Sequence, residues 1–391
     1  MAPKSRLHKP VYIRQALRSP IGKFGGSLAG LPAPRLAAQV LAEGLKKQAR
    51  KPDYVLLGHA RQAGNGPNPA RQATCFSGAG VEIPAWTLNQ ACASGMAAVA
   101  QAADLLQLGR ATSVWAGGVE SMSRTPYLLP QARWGQKMGN QKLVDAMYQD
   151  GLHCPMADMI MGATVQHIAT EEKIMREEQD RFALASQQKA DAAIRGGLFK
   201  DEIVPIVDAA SGKVILALDE HPRADSTLET LGKLAPVFDP QNGTITAGNA
   251  SGITDGTAWL ELTSTKDSAC FIEILDYETT ALEPLYMGHG PIRATELVLQ
   301  RNGLQATDID FVEINEAFAA QVIACQRRLK FPEECVNVRG GSIALGHPIG
   351  ATGARILTTL AHTMKGQSGA LGIATLCVSG GMGFTFLVRT T

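Results

Sequence analysis

Four short segments of this chain hold side chains that can do chemistry. In Asn89-Gln90-Ala91-Cys92-Ala93-Ser94-Gly95 the cysteine stands where an apolar run, Ala85 to Leu88, hands over to a helical pattern. Backbone N–H groups and the positive end of a helix dipole point at such a spot. A thiolate there is stabilised relative to a free cysteine, whose pKa is about 8.5. The small neighbours Ala91, Ala93 and Gly95 read as room for a substrate. Taken alone, Cys92 fits a buried structural cysteine at least as well. In the glycine-rich stretch Gly340 to Gly350, His347 lies between Gly346 and Pro348, just before a helix. A histidine so placed can accept a thiol proton and later stabilise charge; alone, it equally fits a satisfied loop histidine. Gly341 and Gly346 have phosphate-loop spacing, but His347-Pro348 stands where Lys and Ser/Thr are required, which excludes a nucleotide P-loop. Asn315 and Glu316 sit at a strand end opening a helix, where an amide can orient a water or cap the helix. Cys377 ends an apolar run beside Ser379-Gly380-Gly381, a weak signal by itself.

The elements around these residues alternate between strand and helix, the pattern of an α/β fold. Ala85–Leu88 predicts a strand. Met96, Val99, Ala103 and Leu106 follow at spacings of three and four and share one helical face, with Gly109 as its C-terminal stop. Val114-Trp115-Ala116 reads as a strand ending in Gly117-Gly118. The C-terminal part repeats the plan. Phe311–Ile314 is a strand, and Phe318, Val322, Cys325 and Leu329 line a helix. Val336-Asn337-Val338 is a strand, Ile356, Leu357, Leu360 and Met364 mark a further helix, and Ala370–Cys377 is a buried strand before Gly380-Gly381. This reads as an internal duplication of one α/β unit. Between the halves, from about Glu120 to Thr246, charged and polar residues dominate, as in Glu171-Glu172-Lys173 and Arg176-Glu177-Glu178. That texture suggests a long insertion whose charge runs are solvated helix faces. Thr246–Thr263 turns apolar again and rejoins the first half.

Composition bounds the function. The 391 residues exceed one ordinary core and suggest two or three domains. With 45% hydrophobic and 19% charged residues the chain can bury a large core. A formal net charge of +1 gives no reason to expect nucleic-acid or membrane attraction. The seven cysteines are an odd number, widely scattered, which argues for a reduced compartment. No Cys or His spacing suggests a zinc site. Met1–Pro10 is basic but lacks a following apolar run, so no signal peptide is expected, and no segment approaches the roughly 20 apolar residues of a membrane span. The expected location is cytoplasmic.

Cys, Asn, His and Cys thus occur in order, each at a strand end or helix start, within two repeated halves. Catalytic groups of α/β folds gather at the carboxyl ends of strands; if the halves face each other, all four segments meet. This ordered set resembles the thiolase family. The resemblance is carried by Cys92 in its Cys-Ala-Ser-Gly turn, Asn315-Glu316-Ala317-Phe318, Gly346-His347-Pro348, Cys377 before Gly380-Gly381, Gly118 to Ser123, and Thr246 to Gly252. It runs from about Val11 to the C-terminus.

The resemblance implies duplicated α/β units in α-β-α-β-α layers with an inserted loop domain. Residues 1–119 with 247–269 would form the N-terminal half, 120–246 the insertion that meets coenzyme A and other subunits, and 270–391 the C-terminal half. It implies a ping-pong acyl transfer with a covalent thioester on Cys92, activated by His347. Cys377 would serve as acid/base at the α-carbon. Asn315, through a water, and the His347 imidazole would form one oxyanion hole; the backbone N–H groups of Cys92 and Ser379 would form the other. Ser251 resembles a pantetheine contact, Arg223 an adenine-end contact, and Leu152, Met161, Met287 and Phe318 apolar pocket positions. Acyl-CoA and CoA are then substrates, with no resident cofactor or metal, and a homodimer or homotetramer is implied. The sequence departs from the family pattern at Ala93 and Ser379, where glycine is usual, and at Ile160, where short-chain members carry histidine. An acetyl-CoA acetyltransferase is the leading expectation; the alternatives are a longer-chain 3-ketoacyl-CoA thiolase and a non-catalytic acyl-CoA-binding relative.

Overall fold

The computed structural model describes residues 6–47 and 49–391; the first five residues of the basic N-terminal stretch lie outside them. Ten strands build one sheet: β1 (Val11–Arg18), β2 (Gly22–Lys23), β3 (Tyr54–Gly58), β4 (Ala85–Leu88), β5 (Ser113–Ser121), β6 (Thr254–Thr263), β7 (Ile272–Ala281), β8 (Phe311–Ile314), β9 (Leu371–Val378) and β10 (Met382–Thr390). The principal helices are α1 (Ala33–Lys46), α2 (Pro69–Ser77), α3 (Ser94–Gln107), α4 (Met161–Glu171), α5 (Arg176–Arg195), α6 (Gly290–Asn302), α7 (Ala319–Leu329) and α8 (Ile349–Met364).

The strands lie in the order β8-β9-β10-β7-β1-β6-β5-β3-β4, with β2 paired to β6. One arrangement occurs twice. On one side β4, β3 and β5 run parallel, and β6 and β1 follow antiparallel. On the other, a parallel bridge from Val336 to Val312 precedes the parallel pair β8 and β9, then β10 and β7 antiparallel. β1 and β7 join the halves, antiparallel. α3 and α8 pack together between the two halves, sharing one core with Val114, Leu260, Leu376 and Phe386. α1 and α2 cover the outer face of the first half over Trp115 and Trp259, and α6 and α7 that of the second. The layers are therefore α-β-α-β-α. Strands buried on both faces, such as β5 and β6, need helices on either side of the sheet.

The inward face of α3 is the one its periodicity predicts: Met96, Val99, Ala103 and Leu106 are all buried. The helix stops at Gly109, φ +66°, where the N–H groups of Gly109 and Arg110 return to the carbonyls of Leu106 and Leu105.

Other local readings need correction. β5 does not end at Gly117-Gly118 but continues to Ser121. These glycines are there for close approach: a Cβ on Gly118 would fall 2.0 Å from the Gly350 carbonyl oxygen, and one on Gly117 2.1 Å from that of Ala258. Val336–Val338 forms a single bridge rather than a strand. Asn337, φ +45°, turns the chain, and its side-chain amide bonds both the N–H and the carbonyl of Ile314 in place of a strand neighbour. The last long helix begins at Ile349, taking Gly350 and Gly353 into its first turns. The charge runs of the insertion are not simply solvated: Glu172 pairs with His289 and Arg328, and Glu178 with Arg327, which ties the insertion to the second half. Among the described residues no helix is long and apolar enough to cross a membrane.

Candidate active site

Cys92 sits in a single tight turn, Ala91–Ala93, between the edge strand β4 and α3. Ala91 has φ +47°, a left-handed conformation that costs a non-glycine residue about 1–2 kcal/mol. The surroundings enforce it. The Asn89 carboxamide oxygen accepts the Ala91 N–H, and the buried Ser94 hydroxyl donates to the Ala91 carbonyl while accepting the Gln90 N–H. The small residues here do not make room for a substrate. Ala93 is fully buried in the core, and a Cβ on Gly95 would fall 2.9 Å from the Ala354 nitrogen of α8. They let the two central helices approach at their N-terminal ends.

That approach brings His347 in, because it stands two residues before α8. Gly346, φ +103°, has no space for a side chain: a Cβ would fall 2.4 Å from Thr254 Cγ2. The His347 Nδ1 lies 2.6 Å from Thr352 Oγ1, and that hydroxyl gives its one proton to the Pro348 carbonyl. Thr352 can therefore only accept from the ring, so Nδ1 carries the proton and Nε2 is left as a base. Burial, reinforced by the positive charges of Arg355 and Arg61, holds the imidazolium pKa down to about 3. The ring is neutral across the physiological range.

The two sulfurs differ. Burial raises the Cys92 thiol; the Arg61 guanidinium and the backbone N–H groups of Ser379 and Cys92, which face its sulfur, oppose that rise. Burial drives Cys377 well above the ordinary thiol range, and negative charge on Cys92 or Cys325 would push it further. Cys92 and His347 thus rest as neutral thiol and neutral imidazole rather than as an ion pair. Cys377 is the penultimate residue of β9, just before the turn at Gly380 and Gly381, φ +87° and +79°, which carries the chain into β10.

Asn315 follows β8 and is fully buried. Its orientation is set by a chain of donors. Arg355 Nη2 donates to Ser342 Oγ at 2.7 Å, and Ser342 donates onward to the Asn315 Oδ1 at 2.6 Å. Arginine cannot accept, so the direction is fixed, and the Asn315 Nδ2 is left as a buried donor with no partner among the described residues. Glu316 has a scaffolding place: it accepts from Ser186, Asn337 and the Ile343 N–H, binding α5 and the segment leading to His347 to the end of β8.

A cavity of about 370 Å³ opens onto these groups. Cys92, His347, Cys377 and Ser379 line it, as do Ser251, Leu152, Met161, Met287, Phe318 and Ile160. Asn315 does not line it; its chain neighbours Ala317 and Phe318 do. Arg223 is exposed on a loop outside the cavity, with its backbone N–H on Gln187. Sequence reasoning missed Phe238, which lines the wall, meets Phe318 edge-on, and leaves no space for a side chain at Gly162. It assigned no wall role to Met122, Ile253 or Ile349, although Met122 and Ile349 lie inside the marked stretches Gly118 to Ser123 and Gly340 to Gly350, and Ile253 follows the run ending at Gly252. Thr352 and Arg355 carried no motif at all, and Ser342 lay in the marked stretch Gly340 to Gly350 without a role of its own.

Comparison with known proteins agrees with this geometry. Residues 11–266 match the family described as thiolase, N-terminal domain, and residues 269–390 match thiolase, C-terminal domain. The chain is similar to the acetyl-CoA acetyltransferase of Escherichia coli K12, with 45% identity over 97% of this chain and 99% of that one. It is similar to that of Pseudomonas aeruginosa, at 46% over 95% and 97%. The crystal structure of the Bacillus anthracis acetyl-CoA acetyltransferase superposes with a TM-score of 0.94 at 40% identity, over 99% of this chain and 100% of that one. With both domains matched in order and these relatives aligned nearly end to end, the chain belongs to the thiolase family.

Proposed function

We propose that this chain is an acyltransferase that makes and breaks the carbon–carbon bond of 3-oxoacyl-CoA thioesters, with acetyl-CoA as a substrate. One observation carries the reading: Cys92, His347 and Cys377 line a single cavity, with the N–H groups of Cys92 and Ser379 facing the Cys92 sulfur. The names of the relatives support acetyl-CoA as acyl carrier.

In thiolysis the Cys92 proton passes to His347 Nε2 and the sulfur adds to the 3-oxo carbon. The oxyanion so formed is met by the N–H groups of Cys92 and Ser379. As the C2–C3 bond breaks, its electron pair becomes the enolate of acetyl-CoA, which takes a proton from Cys377. The thiol of CoA then gives its proton to the Cys377 thiolate and attacks the acyl-Cys92; the departing Cys92 recovers the proton held by His347. The high pKa of Cys377 suits it to an enolate, since proton exchange is efficient between groups of comparable basicity. The unpartnered Asn315 Nδ2, through a water, and the His347 ring serve the thioester oxygen of the enolate. In condensation the steps reverse. Ser251 serves the pantetheine arm; Arg223, outside the cavity, serves the nucleotide end. Residues 1–119 with 247–269, 120–246 and 270–391 are proposed as the N-terminal half, insertion and C-terminal half. A homodimer or homotetramer suits the exposed Trp134, Met138 and Leu143 of the insertion.

The purified protein mixed with acetoacetyl-CoA and CoA should consume the enolate absorbance, and Cys92→Ser should abolish the loss. No turnover of this or longer 3-oxoacyl-CoA thioesters would favour the acyl-CoA-binding alternative. Ile160 gives the cavity an apolar wall, so a series of chain lengths tests the longer-chain alternative.

A further inference from the structure

Arg61 follows β3 and is only 7% exposed. Its backbone is anchored: the N–H binds Glu120 and the carbonyl accepts from Asn65. Its guanidinium is not. Nε is buried without a partner, and among the described residues no hydrogen bond or ion pair reaches the head group. Arginine stays charged under all accessible conditions, so it cannot relieve burial by losing a proton. A buried charge left unpaired is strongly unfavourable.

Glu120 is the nearby carboxylate, and the two charges attract each other, but other donors already engage its oxygens. They accept from the His59 ring at 2.7 Å and from the N–H groups of Ala60, Arg61 and Gly350 at 2.8–3.0 Å. The guanidinium does not itself line the cavity but lies directly behind Gly151, at its wall. A Cβ on Gly151 would fall 2.5 Å from its Nη2 and 2.7 Å from its Cζ, and Gly151 lines the cavity beside Leu152 and Met122. Its charge acts on both Cys92 and His347, which places it within electrostatic reach of the reacting groups.

We propose that Arg61 is an anion-receiving subsite for the acyl group, and that the substrates include 3-oxoacyl-CoA thioesters whose acyl chain ends in a carboxylate. This rests on the acyltransferase reading above and names a substrate class for it. The bond-making and bond-breaking steps are those already given; the carboxylate is a spectator that pairs with the guanidinium. Such a pair, charge-assisted and shielded from water, discriminates against an uncharged end, because the uncharged chain leaves the Arg61 head group without a hydrogen-bond partner.

The test compares 3-oxoadipyl-CoA with 3-oxohexanoyl-CoA, which has the same number of chain carbons and no charge. The wild-type enzyme should favour the carboxylate by at least about 10-fold in kcat/KM, and Arg61→Leu should lower that ratio by about 100-fold. Arg61→Lys should fall between them. A wild-type ratio of one or less overturns the proposal. So does an Arg61→Leu variant that loses both substrates equally, since Arg61 would then act only through Cys92 and His347. If Arg61→Leu does not fold, acylation of wild-type Cys92 by succinyl-CoA against butyryl-CoA, read by mass spectrometry, decides. Turnover of acetoacetyl-CoA without preference for the charged chain defeats this inference alone, whereas no turnover of any thioester defeats the acyltransferase reading.

Discussion

Replacing Thr352 by valine isolates what orients the base. The side chain is nearly isosteric and fully buried in the first turns of α8, so the change removes little packing. It removes the acceptor 2.6 Å from His347 Nδ1 and leaves that N–H buried. Removing the acceptor leaves a buried donor orphaned, which costs about 1–3 kcal/mol. The Nδ1–H tautomer loses that much support, and the ring can turn or move its proton to Nε2. With about 1.4 kcal/mol per tenfold in rate, acylation of Cys92 should slow by about 5- to 150-fold. The hydroxyl also bonds the Pro348 carbonyl, so about 1 kcal/mol of stability should go as well. Stopped-flow or quenched mass spectrometry with acetyl-CoA reads the acylation rate directly, and a denaturant titration reads the stability. Thr352→Ser keeps the hydroxyl and should restore most of the rate. Acylation of Thr352→Val at the wild-type rate would refute the tautomer argument, because among the described residues nothing else bonds Nδ1.

Cys377→Ala should leave acylation of Cys92 by acetyl-CoA within a few-fold of wild type while condensation falls by at least about 10³-fold, since the proton at the α-carbon loses its carrier; equal losses in both steps would remove Cys377 from that role. His347, with its pKa held near 3, binds fewer protons when folded than when unfolded, where the value is about 6.5. Its contribution to stability is complete above pH 6.5 and is lost as pH falls towards 3. From pH 7 to pH 4 the wild-type protein should lose about 3 kcal/mol more than His347→Asn, measured in urea, and parallel losses would show that the ring is not neutral in the folded state.

The reactive residues were legible because each is marked by its neighbours. Cys92 follows a strand pattern and opens a helix pattern, Cys377 closes an apolar run before two glycines, and His347 stands between a glycine and a proline. What the sequence concealed are the devices that make these residues work. They are side-chain bonds between separate segments, as in Arg355 to Ser342 to Asn315 or His347 to Thr352, and no periodicity records them. Val336–Val338 misled because strand propensity describes a pleated, half-buried position, whereas here the Asn337 amide supplies the pairing by its side chain. Gly117-Gly118 misled in the opposite sense: a glycine pair in a strand marks either a turn or a close backbone approach, and only the packed structure shows which.

The duplication explains why the thiol and the base come from different halves. Cys92 leads into α3 after the edge strand β4; His347 leads into α8 after the Val336 bridge, the same place in the second half. The repeated strand order turns these two junctions toward each other across the central helical layer. How near they come is then decided by the first turns of α3 and α8, and there the glycines matter. A Cβ on Gly353 would fall 2.6 Å from the Met96 nitrogen, one on Gly95 2.9 Å from the Ala354 nitrogen, and one on Gly350 2.8 Å from both the Glu120 carboxylate and the Val119 carbonyl. Backbone meets backbone at these points, so a methyl group cannot be absorbed by a rotamer change; the helices themselves would have to separate. The residues that hold the thiol beside the imidazole are therefore residues without side chains, and their effect on the chemistry passes entirely through the distance between two helix ends.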